Sequence, residues 1–65
     1  MFEKTAGQLY QVIEDFHGEC GFASKGDLLA LAKNKRNNKF YLVDKFGATI
    51  DKYRELDDGR LYKLL

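Results

Sequence analysis

Leu9, Val12, Ile13 and Phe16 recur at i, i+3, i+4 and i+7, and Phe2 and Ala6 extend the stripe backwards. That spacing predicts an amphipathic helix. Thr5 and Gln8 match the S/T-x-x-E/Q capping box that satisfies orphan amides at a helix start, and Gly18 suits a left-handed stop. Ser24 followed by Asp27 predicts a second start, with Leu28, Leu29, Leu31 and Ala32 as its apolar side. Lys33, Lys35 and Arg36 then fall in a last turn and Asn37-Asn38 end it.

From Lys39 the period drops to two. Phe40 and Leu42 alternate with Tyr41 and Val43, which predicts a half-buried strand. Lys45-Phe46-Gly47 suits a three-residue hairpin loop with Gly47 in the left-handed position, so that Asp44 faces Ala48, Leu42 faces Ile50 and Phe40 faces Lys52. Asp58-Gly59 predicts a second tight turn, aligning Leu56 with Leu61. Both turns send Phe40, Leu42, Ile50, Leu56, Leu61 and Leu65 to one side of a meander and leave Tyr41, Val43, Thr49, Asp51, Tyr53, Glu55, Tyr62 and Leu64 on the other. The predicted fold class is α+β: two N-terminal helices packed on a three-stranded antiparallel β-meander (ααβββ).

A chain of 65 residues leaves room for a single small domain, 1–65, whose core supplies about 3–5 kcal/mol of net stability. A hydrophobic fraction of 45% beside 32% charged residues is that of a globular domain. Cys20 is the only cysteine, which excludes an intramolecular disulfide and fits a cytoplasmic location. The N-terminal stretch lacks the basic start and continuous apolar centre of a signal peptide, and no run approaches the roughly 20 apolar residues of a membrane span.

The net charge of +1 conceals a local polarity. Residues 1–32 carry −3, residues 33–45 carry +4, and the remainder cancel. Lys33, Lys35, Arg36 and Lys39, interleaved with asparagines and followed by Tyr41, form the candidate nucleic-acid-binding patch, since cations with neutral donors grip phosphates. Two helices ahead of a hairpin also compare loosely with a winged helix-turn-helix, although that fold usually has a third helix before its wing.

The tyrosine-bearing face is the first candidate site, with Tyr41, Tyr53, Tyr62 and Leu64 as protein-binding residues, because phenol rings offer large rigid contact area at small entropic cost. His17 and Cys20, spaced H-x-x-C, fall two ligands short of a closed zinc site, and Asp44-Lys45-Phe46-Gly47 and Asp57-Asp58 are accounted for by turn chemistry. No catalytic residue, metal, cofactor or small-molecule substrate is expected. The expected function is a small non-enzymatic protein-binding module or regulator, accessory or phage-type, whose partner is a larger protein or a second copy of itself. The alternative is nucleic-acid binding through Lys33–Lys39.

Overall fold

The computed structural model describes residues 6–65, and they are built from strands: β1 (Leu9–Val12), β2 (Phe16–His17), β3 (Phe22–Ala23), β4 (Leu28–Lys33), β5 (Phe40–Val43), β6 (Thr49–Lys52) and β7 (Tyr62–Leu64). The sole helical element among the described residues is one 3-10 turn, Glu55–Asp57. The expected pair of helices is therefore wrong, and the fold is essentially all-β. Thr5 of the proposed capping box, with Phe2, lies outside the described residues, while the Gln8 carbonyl accepts a hydrogen bond from the Leu31 amide at 2.8 Å.

Why the helical spacing misleads is visible in the burial. In β1 the inward residues are Tyr10 and Val12, and in β4 they are Leu29 and Leu31, a period of two. Leu9, Leu28, Ala30 and Ala32 are apolar too but point the other way. Strands apolar on both faces satisfy i, i+3, i+4 by coincidence. The Ser24–Asp27 signal is also real but reassigned. The Asp27 carboxylate accepts from the Ser24 amide at 3.0 Å and the Asp27 amide donates to the Ser24 carbonyl at 2.9 Å, which closes a turn between β3 and β4.

Five strands form one antiparallel sheet in the order β6-β5-β4-β1-β7, and β2 with β3 forms a separate two-stranded hairpin. The β5–β6 hairpin agrees with its expectation. Gly47 has φ +82°, the Asp44 amide donates to the Ala48 carbonyl at 2.9 Å, and the Asp44 carboxylate accepts from the Phe46 and Ala48 amides. Beyond the loop the register slips by one. A bulge beside Leu42 and Val43 pairs Val43 with Thr49 and Leu42 with Asp51, so Ile50 and Asp51 are both buried.

The third strand of the expected meander goes elsewhere. After β6 the chain makes the 3-10 turn, and β7 then pairs with β1 at the opposite edge of the sheet. The core is Tyr10, Val12, Ala23, Leu29, Leu31, Leu42, Ile50 and Tyr62, with Phe16, Phe40, Tyr53 and Leu61 packed against it. Of the six side chains expected to point inward, Leu42 and Ile50 are buried and Phe40 and Leu61 half-buried, but Leu56 and Leu65 are exposed. Leu56 falls in the 3-10 turn instead of a strand, and Leu65 follows β7 at its place beside β1.

Candidate functional site

Cross-strand pairs point to the same side of a sheet, so the observed register defines the outer face directly. Leu9 pairs with Ala30, Ala30 with Val43 and Val43 with Thr49, giving one row across four strands. The Leu65 amide donates to the Leu9 carbonyl at 2.9 Å, which extends this row past the end of β7. A second row joins Ala32, Tyr41 and Lys52, and a third joins Lys63, Gln11 and Leu28. The outer face is thus apolar at its centre: Leu9 is 48% exposed, Leu28 50% and Leu65 62%, between half-buried Ala30, Ala32, Tyr41 and Val43.

The apolar surface continues past Leu28. Phe22, Leu28 and Phe46 line an open groove of about 380 Å³ with Leu29 and Ile50 also contributing and Asp27 and Asp44 among its lining residues. Phe46, on the β5–β6 loop, is the most exposed large apolar residue described, at 83%.

The proposed tyrosine face does not exist as one surface. Tyr41 lies on the outer face, where its hydroxyl accepts from the Asn37 side-chain amide at 3.2 Å, but Tyr62 is buried and Tyr53 half-buried on the inner side. Leu64 pairs across from Tyr10, so it belongs to the inner side, at the sheet edge, where it is exposed. Tyr10, Tyr53 and Tyr62 pack as a triangle with ring centroids 5.7–5.9 Å apart, and Phe16 adds a fourth ring 5.9 Å from Tyr62.

These phenols are inside because each finds a partner there. The Tyr62 hydroxyl donates to the Arg54 carbonyl at 2.9 Å and accepts from the Arg54 amide at 3.0 Å, and the Tyr53 hydroxyl donates to the Asp58 carboxylate at 2.5 Å. Burial in the aromatic cluster raises the Tyr62 pKa to about 12, opposed by its bond with Arg54 and helped by Asp57, Asp58 and Asp51. Burial likewise raises Tyr10 and, with the Asp58 bond, raises Tyr53 further. The cluster is an anchor for the Tyr53–Asp58 segment.

The predicted basic residues sit on the β4–β5 connection, not on a helix. Lys33 ends β4, Lys35 and Arg36 lie in the turn, and Lys39 leads into β5. The turn is held by the Asn34 side chain accepting from the Arg36 amide and the Asn37 side chain accepting from the Lys39 amide, both at 2.9 Å, with Asn38 at φ +58°. All four cations are exposed. The His17 ring meets Phe22 edge-on with centroids 4.9 Å apart, Cys20 is exposed with its amide donating to the Ile50 carbonyl, and among the described residues no group of three or more His, Cys, Asp or Glu could hold a metal ion.

Residues missed by the sequence reading are Leu9 and Leu28, assigned to the apolar sides of helices, Ala30, given no role, and Leu65, assigned inward. The signal that exposes them is the alternation within Leu28–Lys33 together with glycines at 7, 18, 21 and 26, a turn spacing too dense for two helices. Comparison with protein-family models, curated proteins and solved structures gives no match to this chain. Among the described residues no helix is long and apolar enough to cross a membrane.

Proposed function

We propose that the chain is a small non-enzymatic protein-binding module, an accessory regulator that docks on a larger protein through the outer face of its five-stranded sheet. The observation that carries this reading is the row Leu65, Leu9, Ala30 and Val43, apolar side chains laid side by side on a solvent-facing sheet surface and continuous through Leu28 with the Phe22–Phe46 groove. Patches of this kind on small proteins mark interaction sites. A half-exposed leucine gains on the order of 1 kcal/mol when a partner covers the remainder.

Charge narrows the partner. The two charged strand residues that the register assigns to this side, Lys52 and Lys63, are both basic. On the sheet itself the complement is an apolar ridge flanked by carboxylates, while Asp27 and Asp44 of the groove suit a cation at its end. Regulation by occupancy fits the site, which offers contact area and no nucleophile or base. A reducing cytoplasm is the compartment that a lone exposed cysteine supports.

The test is affinity capture from the native host with wild type, Leu9→Lys, Val43→Glu and the control Lys35→Glu. A partner retained by wild type and Lys35→Glu but lost by Leu9→Lys and Val43→Glu, with all four folded by circular dichroism, supports the reading. Identical capture by all four removes it.

A further inference from the structure

A second groove gathers cations that are far apart in the sequence. Lys39 and Phe40 come from the start of β5, Lys52, Tyr53 and Arg54 from the end of β6 and the chain after it, and Glu19 from the β2–β3 loop; together they line about 480 Å³ of open space. The Tyr53 amide donates to the Phe40 carbonyl at 3.0 Å, which continues the β5–β6 ladder and sets the two aromatic residues side by side. Lys33 pairs with Phe40 from the other flank, and its ammonium stands 5.8 Å from that ring.

Two of the three cations lining the groove face an acid at ion-pair distance, at contacts that a phosphate would have to replace. Glu19 is paired with Lys52 at 3.8 Å, both about half exposed. Asp51 is nearly buried, faces Arg54 at 3.8 Å, and accepts from the Glu19 and Lys52 amides. Three exposed cations around a half-buried phenyl ring, with a fourth cation over that ring, have the make-up of a strand-tracking groove: charge for the backbone and a flat apolar face for a base.

We propose that this groove binds single-stranded nucleic acid, with Lys39, Lys52 and Arg54 on successive phosphates and the Phe40 ring receiving an unstacked base. The Phe40 ring is half-buried between these cations, and a flat apolar face flanked by charge suits the exposed base of an unpaired strand. This site stands apart from the proposed docking face: Lys39 and Arg54 belong to the groove alone, and Lys52 marks the edge between the two.

The experiment is fluorescence anisotropy of a labelled oligothymidylate of about twelve nucleotides with the full chain. Three phosphate contacts predict a log–log salt slope of about −2, hence an affinity about 20-fold weaker at 200 than at 50 mM salt. Lys39→Gln and Arg54→Gln should each weaken binding and flatten the slope by about 0.7. Glu19→Gln, which releases Lys52, should tighten it, and Val43→Glu on the docking face should leave it unchanged. Absence of binding at low salt, unaltered affinity in the Lys39→Gln/Arg54→Gln double variant, or equal affinity for an abasic strand of the same length would overturn the proposal. A failed capture experiment on the docking face bears on none of these outcomes.

Discussion

Both faces of the five-stranded sheet carry apolar side chains, and the two sets have opposite fates. Tyr10, Val12, Leu29, Leu31, Leu42 and Tyr62 on the inner side are each 2% exposed or less, whereas Leu9, Leu28, Ala30, Ala32, Tyr41 and Val43 on the outer side keep contact with water. The inner side is closed by the β2–β3 hairpin, which adds Ala23 and Phe16 to the core, and by the segment between β6 and β7, which offers the Arg54 backbone and the Asp58 carboxylate to phenols that would otherwise be buried unpaired. No buried side-chain polar atom among the described residues is left without a partner. A sheet with apolar residues on both faces is thus closed on one side by its own chain and left exposed on the other.

The sharpest way to break this comparison is to remove one tyrosine from each face. Tyr62→Ala should cost about 3–5 kcal/mol, enough to unfold a domain of this size, because it leaves a cavity and strips the Arg54 backbone of its partner. Tyr41→Ala should cost about 1 kcal/mol or less. Urea midpoints for the pair decide the matter, and equal losses would mean that the outer face is as structural as the inner one.

Alkali probes the same asymmetry without mutation. The folded-state pKa of Tyr62 is about 12, against an ordinary value of 10.0, so the neutral phenol is the form the fold favours. Its contribution is complete below pH 10 and is lost as pH rises from 10 towards 12, up to about 3 kcal/mol. Tyr10 and Tyr53 are shifted in the same direction and add to the loss. Stability measured from pH 9 to 12 should therefore fall steeply, and fall less in Tyr62→Phe. A flat profile would contradict the buried cluster.

A smaller effect is expected where the β2–β3 loop meets the edge strand. A Cβ at Gly18 would collide with the Ile50 carbonyl oxygen and lie 2.7 Å from the Asp51 Cβ, so Gly18→Ala should destabilise by about 1–3 kcal/mol in thermal unfolding. At Gly7, where a Cβ would meet nothing within 4 Å, the penalty is the left-handed backbone alone, φ +96°, and Gly7→Ala should cost about 1 kcal/mol. Smallest of all, Leu9→Lys should change stability by no more than about 0.5 kcal/mol, since its side chain is half in water already.

Local chemistry was legible where a turn is decided by a few adjacent residues. Asp44 to Ala48 closes as its composition demands, and Gly47 takes the conformation that the loop requires. Ser24 and Asp27 were recognised as a local hydrogen-bonding pair, but the same pair serves a helix start and a tight turn, and nothing within four residues chooses between them. Of the candidate site residues, Tyr41 was placed on the correct face together with Val43 and Thr49. Tyr53 and Tyr62 were not: the bulge in the β5–β6 pair turns Tyr53 inward, and Tyr62 is placed by β7 joining β1, a contact between residues some fifty positions apart. The basic run was legible as charge, and the hairpin reading set Lys52 one position from its observed partner Tyr41, but Arg54 beside Lys39 was seen only in the folded groove.

By itself the sequence determined the alternation of β5, its hairpin into β6, the absence of a disulfide, and the concentration of positive charge around residues 33–45. Only the tertiary structure decided that Leu9–Val12 and Leu28–Lys33 are strands, that the phenols of Tyr53 and Tyr62 turn inward, and which apolar row faces water. The reason is physical: a short segment apolar on both sides lowers its free energy as a helix or as a strand almost equally well. The choice then rests with the distant backbone that pairs with its edges and with the chain that covers its face.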